Sequence, residues 1–201
     1  MGTGRCSARN ISCLVPRNDG CARVTMTAPE IAIVPAAISH AAALADFVQH
    51  NLAHLHAYLP AVAELASIDA ATEYLHAVQE WAADGDVLEW YIFSGATLCG
   101  SIRVKDIDTC DRKAKVGYFL GKEFEGKGIM TAAVRLILDY CFNVLQLNRM
   151  ELRCAANNTP SMAVARRLGF TLEGVLRQDE CLHGVFVDQQ VYGLLRAEFV
   201  G

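Results

Sequence analysis

The sequence predicts a single α/β domain in which a mixed central sheet is flanked by helices, and three observations carry that expectation. Stretches rich in β-branched and aromatic residues, such as VLEWYIFS and KAKVGYFL, recur along the chain as strands require. Between them lie longer stretches with apolar residues at helical spacing, such as HAAALADFVQHNLAHL. Their order lacks the repeated strand-helix pairs of a complete dinucleotide-binding domain. With 201 residues and 53% hydrophobic composition, the chain can bury one substantial core.

Residues 1–28 mix Gly, Pro, Asn, Arg and Cys without a helical period or the continuous apolar segment of a secretory signal. A flexible tail is expected there, Met26 is a candidate start, and the folded domain runs over 29–201. IAIV at 31–34 is the first strand, stopped by Pro35, and Ser39 precedes a helix over 40–55. A second helix runs from about Asp69, a candidate N-cap, to Ala83, where ADGD breaks it. The stretch at 87–107 reads as two strands joined around SGAT, and 113–120 as a further strand. After Gly128 comes the clearest helix, whose Thr131, Arg135, Asp139 and Asn143 form one polar seam on an otherwise apolar surface. RMELRCAA is a strand and SMAVARRL a short helix, with FTLEGVLR and VFVDQQVYGLL as the closing strands.

A net charge of −4 and a pI near 5.8 argue against a nucleic-acid footprint, and no apolar run reaches the length of a membrane span without polar interruption. The eight cysteines contain no CxxC pair, and Cys99, Cys141 and Cys154 sit in apolar runs where a thiol packs as a small hydrophobe. Reduced cysteines and a cytoplasmic location follow as expectations. His40, His50, His54 and His56 do not match HExxH spacing and lack a completing acidic or cysteine cluster, so no metal is expected.

The chemistry concentrates at GKEFEGKGIM, residues 121–130, where Gly121, Gly126 and Gly128 stand between a strand and a helix. Exposed N–H groups at a helix start attract anionic oxygen, so a phosphate is the expected ligand. Neither a P-loop nor a complete GxGxxG fingerprint fits, because Gly128 is followed by Ile129 and the last glycine is missing. Downstream, Asn158 and Ser161 in NNTPSMAVARRLGF stand where a short helix begins, either capping it or pointing into a pocket.

VGYFLGKEFEGKGIMTAAV, NNTPSMAVARRLGFTLEG and LRQDECLHGVFVDQQVYGLL together resemble the GCN5-related N-acetyltransferase (GNAT) superfamily, and more narrowly its RimJ/RimL-type ribosomal-protein acetyltransferases. The superfamily's loop pattern is Gln/Arg-x-x-Gly-x-Gly/Ala, and here Glu125 and Met130 depart from it while Gly128 keeps the central glycine. The resemblance implies a single-domain GNAT fold and direct acetyl transfer from acetyl-CoA to an amine, without a metal. It implies that the backbone of Gly126, Lys127, Gly128, Ile129, Met130 and Thr131 binds the pyrophosphate. Lys127 either neutralises phosphate or stays solvated, and Glu125 must point away or pair with Lys122 or Lys127.

By the same resemblance Asn158 orders the cofactor arm, Ser161 serves the leaving sulfur, and Glu180 takes the proton of the incoming amine through water. A strand N–H among residues 116–120, nearest Phe119, polarises the acetyl carbonyl, with Tyr118 and Leu120 beside it. Ser161 and Glu180 also fit a helix cap and a surface charge network with Asp179 and Arg177. The expected acceptor is the N-terminal α-amine of a protein, a ribosomal protein first. An α-amine, with pKa about 8, deprotonates more readily than a lysine at about 10.4. The alternatives are a polyamine, amino sugar or drug amine, and a non-catalytic acyl-CoA-binding protein. The acceptor is expected at HNLAHLHAYLPAVAEL and CLHGVF, and the resemblance further implies a homodimer.

Overall fold

The computed structural model describes residues 22–24 and 31–200. Its eight strands form one sheet in the order β1-β2-β3-β4-β5-β6-β8-β7. These are β1 (Ala22–Val24), β2 (Ile31–Pro35), β3 (Val87–Ser94), β4 (Thr97–Asp108), β5 (Lys113–Leu120), β6 (Arg149–Ala155), β7 (Thr171–Leu182) and β8 (Val185–Leu195). Every neighbouring pair is antiparallel except β5 and β6, which run parallel. The strand β1 pairs with β2 and lies inside the segment expected to be a tail, whose other residues fall outside those described.

Four helices cover the sheet: α1 (Ala41–Leu55), α2 (Ile68–Asp84), α3 (Ile129–Asp139) and α4 (Thr159–Arg167). The sheet separates two apolar cores, one built around α1 and α2 and the other around α3 and α4. The helix starts differ from expectation. A 3-10 turn at Ile38–His40 leads into α1, which has no side-chain cap. Ser67 caps α2, its hydroxyl accepting the Ala70 N–H at 3.2 Å, and Asp69 sits in the first turn, favourable to the helix dipole. On α3, Ile129, Met130, Ala133, Val134, Ile137 and Leu138 are buried, each larger side chain contributing roughly 1.5–3 kcal/mol. The helix runs on into one π turn at Tyr140–Val144, and along the polar seam Asn143 donates to Asp139 at 2.8 Å.

The feature that positions the site is where two strands part. Lys113, Ala114, Lys115 and Val116 of β5 pair with Arg149, Met150, Glu151 and Leu152 of β6, and the pairing ends there. Both strands continue, β5 to Leu120 and β6 to Ala155, so a wedge opens in the sheet between them.

Candidate active site

A cavity of about 830 Å³ occupies this wedge. One wall is the start of α3. Gly126 and Gly128 have φ of 71° and 75°, the left-handed region that costs other residues about 1–2 kcal/mol. Nothing lies within 4 Å of a Cβ built on Gly126, so conformation rather than space calls for glycine there. Gly128 is the N-cap without a side-chain bond, and the first N–H groups of α3 have no intrahelical acceptor. Gly126, Gly128, Ile129, Met130 and Thr131 all line the cavity. Lys127 is not among the lining residues, and its ammonium lies 5.5 Å from the centre of the Phe124 ring. Glu125 does turn to a side-chain partner, but that partner is His54 of α1 at 3.3 Å rather than Lys122 or Lys127.

The opposite wall is the start of α4. Asn158 is its N-cap, accepting the Ser161 N–H at 3.2 Å, so the capping role belongs to Asn158 and the Ser161 hydroxyl is released from it. That hydroxyl lies 2.9 Å from the Tyr118 hydroxyl of β5. Burial pushes the Tyr118 phenol well up from its usual value, so it remains a neutral hydroxyl with a proton to give. Cys154 borders the same pocket, and burial also raises its thiol, which disfavours a thiolate nucleophile.

The register decides which β5 amides face the wedge. Gly121 donates to the Cys99 carbonyl at 2.8 Å, and the pairs Leu120↔Gly100, Phe119↔Ser101 and Tyr118↔Ile102 continue without a bulge. Antiparallel alternation therefore points the Phe119 N–H at β4 and those of Tyr118 and Leu120 toward the wedge. The Phe119 N–H, expected to polarise a carbonyl, therefore faces β4 rather than the wedge. The Phe119 ring instead stacks on Phe47 of α1, with centroids 5.7 Å apart.

Glu180 reaches the cavity from β7 through an irregularity in the ladder. The register slips between Leu176 and Glu180, with Gln178 at φ 54° and its N–H bound to Asp188 at 2.9 Å. Its carboxylate accepts from the Gln189 amide of β8 at 2.7 Å. Asp179 pairs instead with Arg153 at 3.6 Å, and among the described residues Arg177 forms no ion pair with Asp179 or Glu180, so the expected surface network is not the one found. Gln189 was not marked by any motif, and His54 was read only as one of four histidines and within the stretch expected at the acceptor, since their positions depend on strand register and on the docking of α1. The free cysteines include buried Cys99, Cys141 and Cys154, and among the described residues no cluster that could hold a metal is present. Among the same residues, no helix is long and apolar enough to cross a membrane.

The arrangement can hold an anion at the α3 start, polarise a carbonyl in the wedge, supply a proton from neutral hydroxyls and accept one at Glu180. Known proteins carry the same architecture. Residues 30–171 match the family model described as Acetyltransferase (GNAT) domain. "Putative ribosomal N-acetyltransferase YdaF" of Bacillus subtilis (strain 168) is 36% identical over 161 residues, 79% of this chain and 87% of that protein. The solved structure of the microcin C7 self-immunity acetyltransferase MccE, in complex with acetyl-CoA and AMP, aligns with TM-score 0.78 and 30% identity, covering 84% of this chain and 93% of that one. RimL, a ribosomal L7/L12 alpha-N-protein acetyltransferase in complex with coenzyme A, aligns with TM-score 0.79 and 26% identity over 85% and 96% of the two chains. The glycine-started α3, the wedge between β5 and β6 and the matched family model agree: the chain belongs to the GNAT family and is an acetyl-CoA-dependent acetyltransferase.

Proposed function

We propose that this chain transfers the acetyl group of acetyl-CoA directly to the N-terminal α-amine of a protein, with a ribosomal protein as the leading acceptor. The observation that carries this reading is the meeting, in one cavity, of the α3 start, the Tyr118–Ser161 hydroxyl pair and the Glu180–Gln189 pair. The names of YdaF and RimL support the ribosomal acceptor. Acetyl-CoA supplies the activated acyl group. The N–H groups from Ile129 to Thr131 bind its pyrophosphate, and those of Tyr118 or Leu120 stabilise the oxygen that becomes negative.

The incoming amine must lose a proton to attack, and Glu180 receives it through water. Its partner Gln189 holds the carboxylate in place without neutralising it. The departing sulfur takes its proton from the Ser161–Tyr118 pair, where either hydroxyl can be the one that donates. The α4 cap by Asn158 sets the distance between them. Within the superfamily, an acceptor such as a polyamine or amino sugar is the second reading. We also propose a homodimer in the cytoplasm. The edge strand β7 and its hairpin partner support the dimer, because they expose Leu172, Val175, Val185 and Phe186.

Full-length protein mixed with acetyl-CoA and N-terminal peptides of ribosomal proteins should release coenzyme A and add one acetyl group at the α-amine, read by mass spectrometry. Turnover confined to spermidine or an amino sugar would move the conclusion to the second reading. A trapped acetyl-enzyme able to complete turnover would defeat direct transfer.

A further inference from the structure

We propose that the acceptor end of the cavity selects an amine carried on an acidic peptide, and discriminates against polycations. This rests on the acetyltransferase reading above and adds to it a charge selectivity. Lys105 and Lys115 are cross-strand partners on β4 and β5, and Lys115 is paired in turn with Glu151 of β6, two residues before Arg153. Cross-strand partners and alternate residues share a sheet face. Lys105, Lys115 and Arg153 therefore lie on one face, that of Phe119, which packs against α1. Gln189 is paired with Ala155, two residues after Arg153, so the Glu180–Gln189 pair lies on the same face. It is the face opposite to the Tyr118 hydroxyl, whose residue alternates with Phe119, and hence the side from which an acceptor reaches the wedge.

All three cations line the cavity, and at this end Glu180 is the one lining carboxylate, since Glu125 is held by His54 beside α3. The acids that pair with the cations stand outside the lining: Asp106 bonds Lys115 at 2.8 Å, Glu151 bonds Arg153 at 2.7 Å, and Asp179 lies 3.6 Å from Arg153. Lys115 and Arg153 are thus matched by acids, whereas Lys105 makes no ion pair among the described residues and only shares with Lys115 and Arg153 the field that lowers Asp106. The exposed cation at the rim is thus left to meet the acceptor. A chain with carboxylates shortly after its amine is drawn in, and the second and third ammonium groups of a polyamine are repelled. Glu180 remains the single acid for the reacting amine itself.

The test uses full-length protein, saturating acetyl-CoA and peptides that share a first serine but carry acidic, neutral or basic residues at positions two to five, with spermidine alongside. The acidic peptide should exceed the basic one in kcat/KM by about tenfold at low salt. The difference should lie in KM and shrink in high salt, because exposed charges are screened. In Lys105→Glu the preference should vanish or reverse, with acetyl-CoA affinity measured in parallel to report folding. Turnover of all three peptides without an acidic preference overturns the selectivity and leaves the peptide acetyltransferase standing. Turnover of spermidine alone overturns both.

Discussion

Ser161 owes its position to Asn158, whose side chain takes over the cap and leaves the serine hydroxyl facing Tyr118. Both residues were legible as a capping pair from their spacing, but which of them caps depended on where α4 begins. Tyr118→Phe and Ser161→Ala should each lower kcat by roughly 10²-fold, toward the lower end of general acid effects because the partner hydroxyl remains. Acetyl-CoA affinity, measured by calorimetry, should change little. Full activity in both would remove the hydroxyl pair from the chemistry. Glu180→Gln should lower kcat/KM most at low pH, where fewer acceptor amines are already neutral, and least near pH 9, where a free α-amine no longer needs a base. An equal loss at all pH values would assign Glu180 to positioning instead. Nothing in LRQDECLHG announced that Glu180 would meet Gln189, because that contact depends on a slip in the β7–β8 register.

At the scale of elements, the loop into α3 was readable because glycine clusters and helix starts are local signals. Glu125 was not: its partner His54 lies on α1, distant in sequence and brought near by packing. Gly126→Ala isolates the backbone requirement, since its φ is 71° and open space surrounds the added methyl. The variant should lose about 1–2 kcal/mol of stability in urea denaturation. If the loop relaxes, acetyl-CoA binding should weaken while kcat at saturation stays near normal. Unchanged acetyl-CoA affinity would show that this conformation is not needed to hold the cofactor. Between α1 and Pro60–Ala66, His56 accepts from His183 at 2.8 Å and Tyr58 donates to Asn157 at 3.4 Å. This segment thereby ties α1 to the β7–β8 turn and to the approach to α4, so that the two stretches expected to select the acceptor meet at His56 and His183.

For the molecule as a whole, β7 ends the sheet as an unpaired edge, and its hairpin exposes Val185 and Phe186 at 63% each. Such an edge favours association. Light scattering should give twice the chain mass of 21.9 kDa, and Phe186→Lys should shift the protein toward monomer. A dimer indifferent to that change would place the interface elsewhere. By itself the sequence determined the order of strands and helices from Ile31 on, the glycine-started α3 and segments that the structure brings to one cavity, because periodicity, caps and turns are encoded between near neighbours. It did not show that β1 would join the sheet, that the Phe119 amide would face β4, or that Lys105, Lys115 and Arg153 would share a face with Glu180. The tertiary structure decided these, because strand pairing and the parting of β5 from β6 set which distant side chains and amides face one space.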